Sequence, residues 1–414
     1  MNYTADIAII GGGACGLAAA ITAKKAAPQK NVYIFEALDR VGKKLATTGN
    51  GRCNITNRHI NIRNYHGEDT AFAEYALKKY DNSVLERFFE EIGIQLVFEG
   101  DKAFPASLQA SSVVDCLRFE CERIGVKTMC GFKVEKIKAG KDFVLFSDRH
   151  RVFAKAVICC TGLYAGGERL GSDGSFYRTL KDIGFKTVKT SPSIVQLKTE
   201  TEYVKQLKGI KTDAKATLLK NGKTVKSEMG EVLFCDYGLS GPAVMNISRD
   251  ALRTEGEFSV SLDLLPNMSE TELAEMIYSR IRNLKQRNLD EFFTGMLNKR
   301  LSQVVLKYCG YKLSNSVSTL NKNDALKIAT ALKNFEHKVT GNTGDINSQV
   351  TAGGISTNEF YKDTLMSKRF AGLFACGELL DIDGDCGGFN LAWAWASGML
   401  AAEQAVKYIG ETKC

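Results

Sequence analysis

Proline is scarce in this chain, with five residues among 414, against 38 glycines. So little proline excludes an extended proline-rich linker, and so much glycine points to close backbone approaches. No apolar run reaches membrane-spanning length, and the first residues, MNYTADIAII, lack a basic stretch followed by a cleavage site; neither a membrane span nor export is expected. Histidine is limited to His59, His66, His150 and His337, which form no cluster in the sequence. No zinc-type C-x-x-C pair occurs among the twelve cysteines, so no metal is expected. Several cysteines lie in apolar strands, as Cys159 and Cys160 do in AVICCTG, where a small thiol packs well. A reducing cytoplasm without a disulfide framework is the expectation. The balance of 55 basic and 47 acidic residues, +8, includes no arginine-rich run and does not indicate nucleic acid.

What is present is globular: 44% hydrophobic and 25% charged residues exclude a disordered chain. Asp6–Ile10 is a short apolar run, followed by GGGACG, an alanine-rich helix and a second strand, NVYIFE, that ends on Glu36. A polar glycine-rich stretch covers Arg40–Asn57, and amphipathic helices are expected near Thr70–Ile92 and Ser111–Ile124. Residues 126–158 alternate as strands. From about Ser191 the style changes to short strands, with Asn221–Gly222 as a hairpin turn, and 269–334 reads as helical. The apolar, glycine-rich style returns from Asn347. The expected architecture is α/β: a split Rossmann domain of residues 1–190 and 346–414, a β-rich insert of 191–268 and 335–345, and a helical insert of 269–334.

Gly11, Gly13 and Gly16 fit G-x-G-x-x-G between a strand and a helix. The first glycine allows the tight turn, the second lets backbone approach a pyrophosphate, and the third lets helix pack on strand, with the helix N-terminus facing the phosphates. Glu36 follows Gly16 by 20 residues at a strand end, where a carboxylate accepts from ribose hydroxyls. A second glycine-rich return, GLFACGELLDIDGDCGGFN, opens a small-residue helix near Leu391. That second element favours FAD over a nicotinamide nucleotide, because a helix N-terminus beside the flavin stabilises the reduced, anionic ring.

Six blocks in one order carry a family resemblance across nearly the whole chain: GGGACGLAAA, VGKKLATTGNGRCNITN, FPASLQASSVVDCL, CCTGLYAGGERLGSDGSFY, GEVLFCDYGLSGPAVMNIS and VTAGGIS…TLMSKRFAGLFACGELLDIDGDCGGFNLAWAWASG. The chain resembles a bacterial family of FAD-dependent flavoproteins that includes aminoacetone oxidase and the 3-dehydro-bile-acid Δ4,6-reductase. The resemblance implies a glutathione-reductase-like FAD domain split by the inserts. It places Gly11, Gly13, Gly16 and Glu36 on the ADP half, and Lys44, Gly51, Arg52 and Asn54 along pyrophosphate and flavin. It further places Thr161 and Gly162 by the adenosine, and Glu378, Asp381, Gly388, Phe389 and Asn390 around ribityl and isoalloxazine. The block LFCDYG departs from the family's commonest form, with Cys235 for Thr and Asp236 for His, so Asp236 or its neighbour Tyr237 is expected to take any acid–base role there.

Cys116 and Cys121 have the C-x4-C spacing of flavin disulfide reductases, but they lie some 80 residues after Glu36 in an amphipathic helix and read as core. Cys53 and Cys386 read as small packing residues near the flavin, and Trp393 and Trp395 as core residues on different faces of the last helix. Without a redox disulfide, the expected chemistry is direct exchange at flavin N5. One reading is NADH- or NADPH-linked reduction of a conjugated C=C bond in a 3-oxo steroid or bile-acid-like substrate, with the nicotinamide visiting transiently and Tyr237 or water supplying a proton. A second is oxidation of a small amine or amino-ketone with peroxide formation. A third is an RNA-modifying or RNA-binding flavoprotein, using the lysine-rich helical insert (Lys285, Arg287, Lys299, Arg300, Lys307, Lys312) as a phosphate-contacting face, and a non-catalytic flavin redox sensor is the remaining reading. Oligomeric state is left open.

Overall fold

The computed structural model describes residues 1–148 and 150–411. They divide into two compact units, one of Met1–Pro192 with the chain from Asp345 onward, the other of Ser193–Gly344.

The first unit is built on a seven-stranded sheet. β1 (Asn2–Ile10) lies between β2 (Val32–Phe35) and β4 (His150–Cys159), parallel to both, and β3 (Lys127–Met129) extends the sheet beyond β2, also in parallel. β5 (Leu373–Ala375), from the far end of the sequence, pairs with β4 in parallel. The antiparallel strands Lys136–Lys138 and Phe143–Ser147 form the meander that leads into β4. The inner strands read as continuous apolar runs because helices cover both faces of a parallel sheet. α1 (Ala14–Ala26) is alanine-rich, with eight buried residues. α2 (Ala110–Arg123) buries Val113, Leu117 and Cys121, and α3 (Phe389–Glu411) buries both tryptophans. Trp393 donates to the Gly377 carbonyl and Trp395 to that of Ile55, so both indoles are satisfied in the core.

One expected helix is interrupted. Thr70–Ile92 resolves into a 3-10 turn at Thr70–Ala73, a helix at Glu74–Lys79 and another at Asn82–Glu91. Asp81 takes an extended conformation and accepts from the Val84 N–H, capping the last helix and ending the preceding one. Periodicity alone does not register such a cap.

The second unit is a closed six-stranded antiparallel barrel with helices. Its long hairpin, Lys211–Lys220 with Lys223–Phe234, turns on Asn221 (φ 49°) and Gly222 (φ 75°), the left-handed pair of a two-residue turn. Helices Glu270–Asn283 and Lys322–Lys333 each begin on a capping box, Ser269/Glu272 and Asn321/Asp324. Barrel residues such as Val260, Leu262 and Phe335 share one apolar cluster with Leu273, Ile277, Val305 and Ile328 of the helices. The sequence suggested two inserted pieces, a β-rich one and a helical one. The structure groups them as one unit, because each buries its apolar face on the other.

His337 lies in this core at 4% exposure, edge-on to Phe335 with ring centroids 4.3 Å apart, and its Nε2 has no hydrogen-bond partner. Burial pulls its pKa down from 6.5 to about 4. The unfolded chain takes up this proton near the ordinary value and the folded one only near pH 4. Stability from this group is therefore present above about 6.5 and declines as pH falls toward 4, by up to about 3 kcal/mol. Denaturant midpoints of parent and His337→Leu, compared from about pH 7 to about pH 4.5, should show a shallower pH slope in the variant; parallel slopes would exclude this residue as the cause.

Candidate functional site

β1 ends at Ile10 and the chain turns at Gly11, whose N–H donates to the Phe35 carbonyl. Gly11 has φ +99°, and a Cβ there would stand 2.7 Å from the Cys160 carbonyl oxygen. A Cβ at Gly16 would stand 1.9 Å from the Gly11 oxygen, so helix α1 rests directly on the turn. Gly13, the N-cap of α1, faces open space: nothing lies within 4 Å of a built Cβ. The α1 N-terminus thus presents uncapped N–H groups to an open volume, the arrangement that receives a phosphate.

The carboxylate of Glu36, just past β2, clamps this turn. Its Oε2 accepts from the Gly12 N–H at 2.7 Å and its Oε1 from the Leu38 N–H at 2.8 Å. Each oxygen keeps a lone pair for a ribose hydroxyl. Beyond β4, Gly162 (φ +65°) also faces open space, with Thr161 beside it.

In the Arg40–Asn57 stretch, Gly49, Asn50 and Gly51 are all left-handed, and Gly51 likewise has nothing within 4 Å of a built Cβ. Lys44 Nζ pairs with Glu378 Oε2 at 2.7 Å, tying this loop to the segment after β5. Asn54 Oδ1 and Glu378 Oε1 are buried and lack hydrogen-bond partners. Arg52 does not reach these groups; it pairs with Glu99 and stacks 4.3 Å over the Phe104 ring. Asp381 is fully buried and accepts the Glu68 N–H at 2.8 Å. A Cβ at Gly388 would meet the Thr56 oxygen at 2.5 Å. Phe389 opens α3 and receives the Tyr65 hydroxyl on its carbonyl, while Asn390 brackets Gly384 by accepting its N–H and donating to its oxygen.

This segment also holds a dyad that no local pattern in the sequence marks. His66 Nε2 lies 2.9 Å from Asp385 Oδ1, and both side chains are about one-quarter exposed (27% and 22%). Asn64 donates to the other carboxylate oxygen at 3.3 Å. A histidine oriented by a carboxylate is a proton-transfer unit. Its members are 319 residues apart, so no local pattern announces it.

The other candidates belong to the second unit or are chemically quiet. Cys53 is fully buried and burial pushes its thiol up to about 12; Cys121 in α2 is likewise pushed to about 12. Burial also raises Cys386. Asp236 and Tyr237 belong to the barrel unit, between strands Lys223–Phe234 and Gly238–Ser240. Asp236 pairs with Lys208 at 2.5 Å, which holds its carboxyl below the usual range, so it is ionised and donates no proton near neutrality. The Tyr237 phenol is pushed up by burial, then by Cys235 and Asp236, and stays protonated as a hydrogen-bond donor requires.

The first unit therefore fits FAD on its own features. A Cβ built at Gly13, Gly51 or Gly162 meets only open space, and Asn54 Oδ1 and Glu378 Oε1 are buried acceptors without a partner. Replacing Glu36 with alanine should weaken FAD binding by roughly 1.5–3 kcal/mol, about 10- to 150-fold in Kd. Flavin retained on a desalting column measures this; parental retention would remove Glu36 from the site.

A family model described as "HI0933-like protein Rossmann domain" matches residues 5–404. The chain is 36% identical to the 3-dehydro-bile acid delta(4,6)-reductase of Clostridium scindens over 405 residues, 97% of this chain and 99% of that protein. It is 28% identical to the ribosomal RNA dihydrouridine synthase of Haemophilus influenzae over 410 residues, 97% and 98% of the two chains. Among solved structures, the 3-ketosteroid-Δ4-(5α)-dehydrogenase of Rhodococcus jostii matches with TM-score 0.50 at 13% identity, covering 98% of this chain and 97% of that one. The quinol fumarate reductase of E. coli matches with TM-score 0.52 at 16% identity, covering 100% and 72%. At these identities the structural matches speak for the fold alone. No helix among the described residues is long and apolar enough to cross a membrane.

Proposed function

The chain belongs to the HI0933-like Rossmann family, and from that premise we propose that it is an FAD-dependent reductase of a carbon–carbon double bond conjugated to a carbonyl, in a 3-oxo steroid or bile-acid-like substrate, with NADH or NADPH as the transient reductant. The observation that carries this reading is the 36% identity, end to end, to a bile-acid delta(4,6)-reductase. The dihydrouridine synthases support the same bond change, since a dihydro product also arises by hydrogenating a double bond next to a carbonyl.

Bound FAD supplies two-electron transfer between a reduced nicotinamide and an electron-poor alkene. The chain's own residues bind and orient it. Glu36 and the α1 N-terminus hold the ADP half, and Lys44, Asn54, Glu378 and Asp381 hold the remainder. The buried apolar floor, with Tyr65 edge-on to Phe389 at 6.1 Å, keeps water from the underside of this segment. Reduction of an enone also requires a proton at the α-carbon, and His66, oriented by Asp385, is the group in this unit suited to deliver it. Tyr237 is the candidate donor from the barrel unit.

Anaerobic mixing tests the reading. NADH or NADPH should bleach the flavin, and a 3-oxo-4-ene steroid should restore its colour under the same conditions. A second reading, reduction of uridine in ribosomal RNA, rests on the full-length 28% matches. It takes over if an rRNA fragment restores the colour and the steroid does not. Bleaching by an amine alone, with peroxide formed in air, would instead mean an oxidase.

A further inference from the structure

Three cysteines distant in sequence meet in the first unit. Cys15 is the second residue of α1, Cys160 directly follows β4, and Cys376 directly follows β5. Cys15 Sγ lies 3.1 Å from Cys376 Sγ, Cys160 Sγ lies 3.4 Å from Cys376 Sγ, and all three sulfurs fall within 4.8 Å of one another. Their positions are tightly defined: a Cβ at Gly398 would stand 2.5 Å from the Cys15 oxygen and 3.1 Å from its sulfur, and one at Gly377 would stand 3.3 Å from the Cys15 Cβ.

We propose that Cys15, Cys160 and Cys376 form a buried three-thiol site for a soft monovalent cation, with Cu(I) as the fitting ion. Three sulfurs at metal–sulfur distances of about 2.3 Å around one centre lie about 4 Å apart, so each pair measured here opens by less than about 1 Å. Thiolates select Cu(I) or zinc over hard cations. Structural zinc takes four ligands, and among the described residues the polar neighbours offer no fourth. Ser397 Oγ already accepts from the Gly377 N–H and donates to the Trp393 oxygen, and the Cys159 carbonyl already accepts the Cys376 N–H. Three soft ligands without a fourth suit Cu(I).

The residual exposure of the cluster, 6% at Cys15 and 7% at Cys160 against none at Cys376, marks the way in. It lies at the start of α1 and just past β4. Binding exchanges protons for metal and moves no electron: three thiol protons leave to solvent as the three thiolates take one Cu(I). Two net negative charges result, beside the first turn of α1 that holds Cys15, and the positive end of that helix offsets part of them.

Flavin-loaded protein, reduced and kept anaerobic, should withhold one Cu(I) per chain from a chromophoric cuprous chelator. Cys376→Ser or Cys160→Ala, with flavin content checked, should weaken that retention by at least about tenfold. Cys130→Ser, at an exposed thiol, should not change it. Copper-edge X-ray absorption on the parent protein should show three sulfur neighbours and needs no variant. No retention by the parent, full retention in the Cys376 and Cys160 variants, or a nitrogen- or oxygen-rich copper shell would each overturn the proposal.

Discussion

Gly16→Ala is expected to yield protein without flavin and with a large loss of stability. The added Cβ would sit 1.9 Å from the Gly11 oxygen and 3.1 Å from its carbonyl carbon. Both atoms are backbone, so no rotamer change relieves the clash, and α1 must lift away from the turn. Overpacking of this kind costs about 1–3 kcal/mol where side chains yield, and more where only backbone can move, against a total stability of about 5–15 kcal/mol. Lifting α1 also withdraws the N–H groups that face the phosphate opening.

Gly13→Ala is the informative partner. Gly13 has φ −81°, which any residue adopts, and its Cβ meets nothing. That variant should melt like the parent yet bind FAD poorly, because its methyl group enters the space kept for the pyrophosphate. Thermal unfolding and flavin absorbance read the two effects separately. A Gly16→Ala protein with parental flavin content, or a Gly13→Ala protein that fails to fold, would refute the assignment of these roles.

His66→Gln should slow substrate-dependent reoxidation of the reduced enzyme by about 10²–10⁴-fold, the usual contribution of a positioned acid. Glutamine can still hydrogen-bond Asp385 but carries no transferable proton. Flavin reduction by NADH or NADPH should be unaffected, since that half-reaction needs no proton from this side chain. Asp385→Asn should give a smaller loss, because the carboxylate orients the ring. Tyr237→Phe is the rival measurement. If it carries the loss and His66→Gln does not, the donor belongs to the barrel unit. If both half-reactions fall together in His66→Gln, the residue holds cofactor rather than a proton.

Much of the fold was legible locally. The β1–α1–β2 unit announces itself by an apolar run, three glycines at fixed spacing and a carboxylate 20 residues on, all within residues 2–36. The Asn221–Gly222 hairpin is equally short-range. Each depends on which backbone angles and hydrogen bonds a few adjacent residues allow, and sequence states that directly. The expected site was legible in a mixed way. Gly11, Gly16 and Glu36 meet at one turn and Glu378 pairs with Lys44, while Arg52 pairs with Glu99 and stacks on Phe104, neither of which its own loop reveals.

What the chain by itself determined is the nucleotide-binding turn, the alternation of strand and helix, and the family to which it belongs. Tertiary structure alone decided that barrel and helices share one core, that His66 stands against Asp385, and that Cys15 touches Cys376 across 361 residues of sequence. The reason is physical. Turns, caps and periodicity are set by neighbours along the backbone, whereas a thiol cluster or a proton-transfer dyad exists only once sheet order and helix packing bring remote segments within a few ångströms.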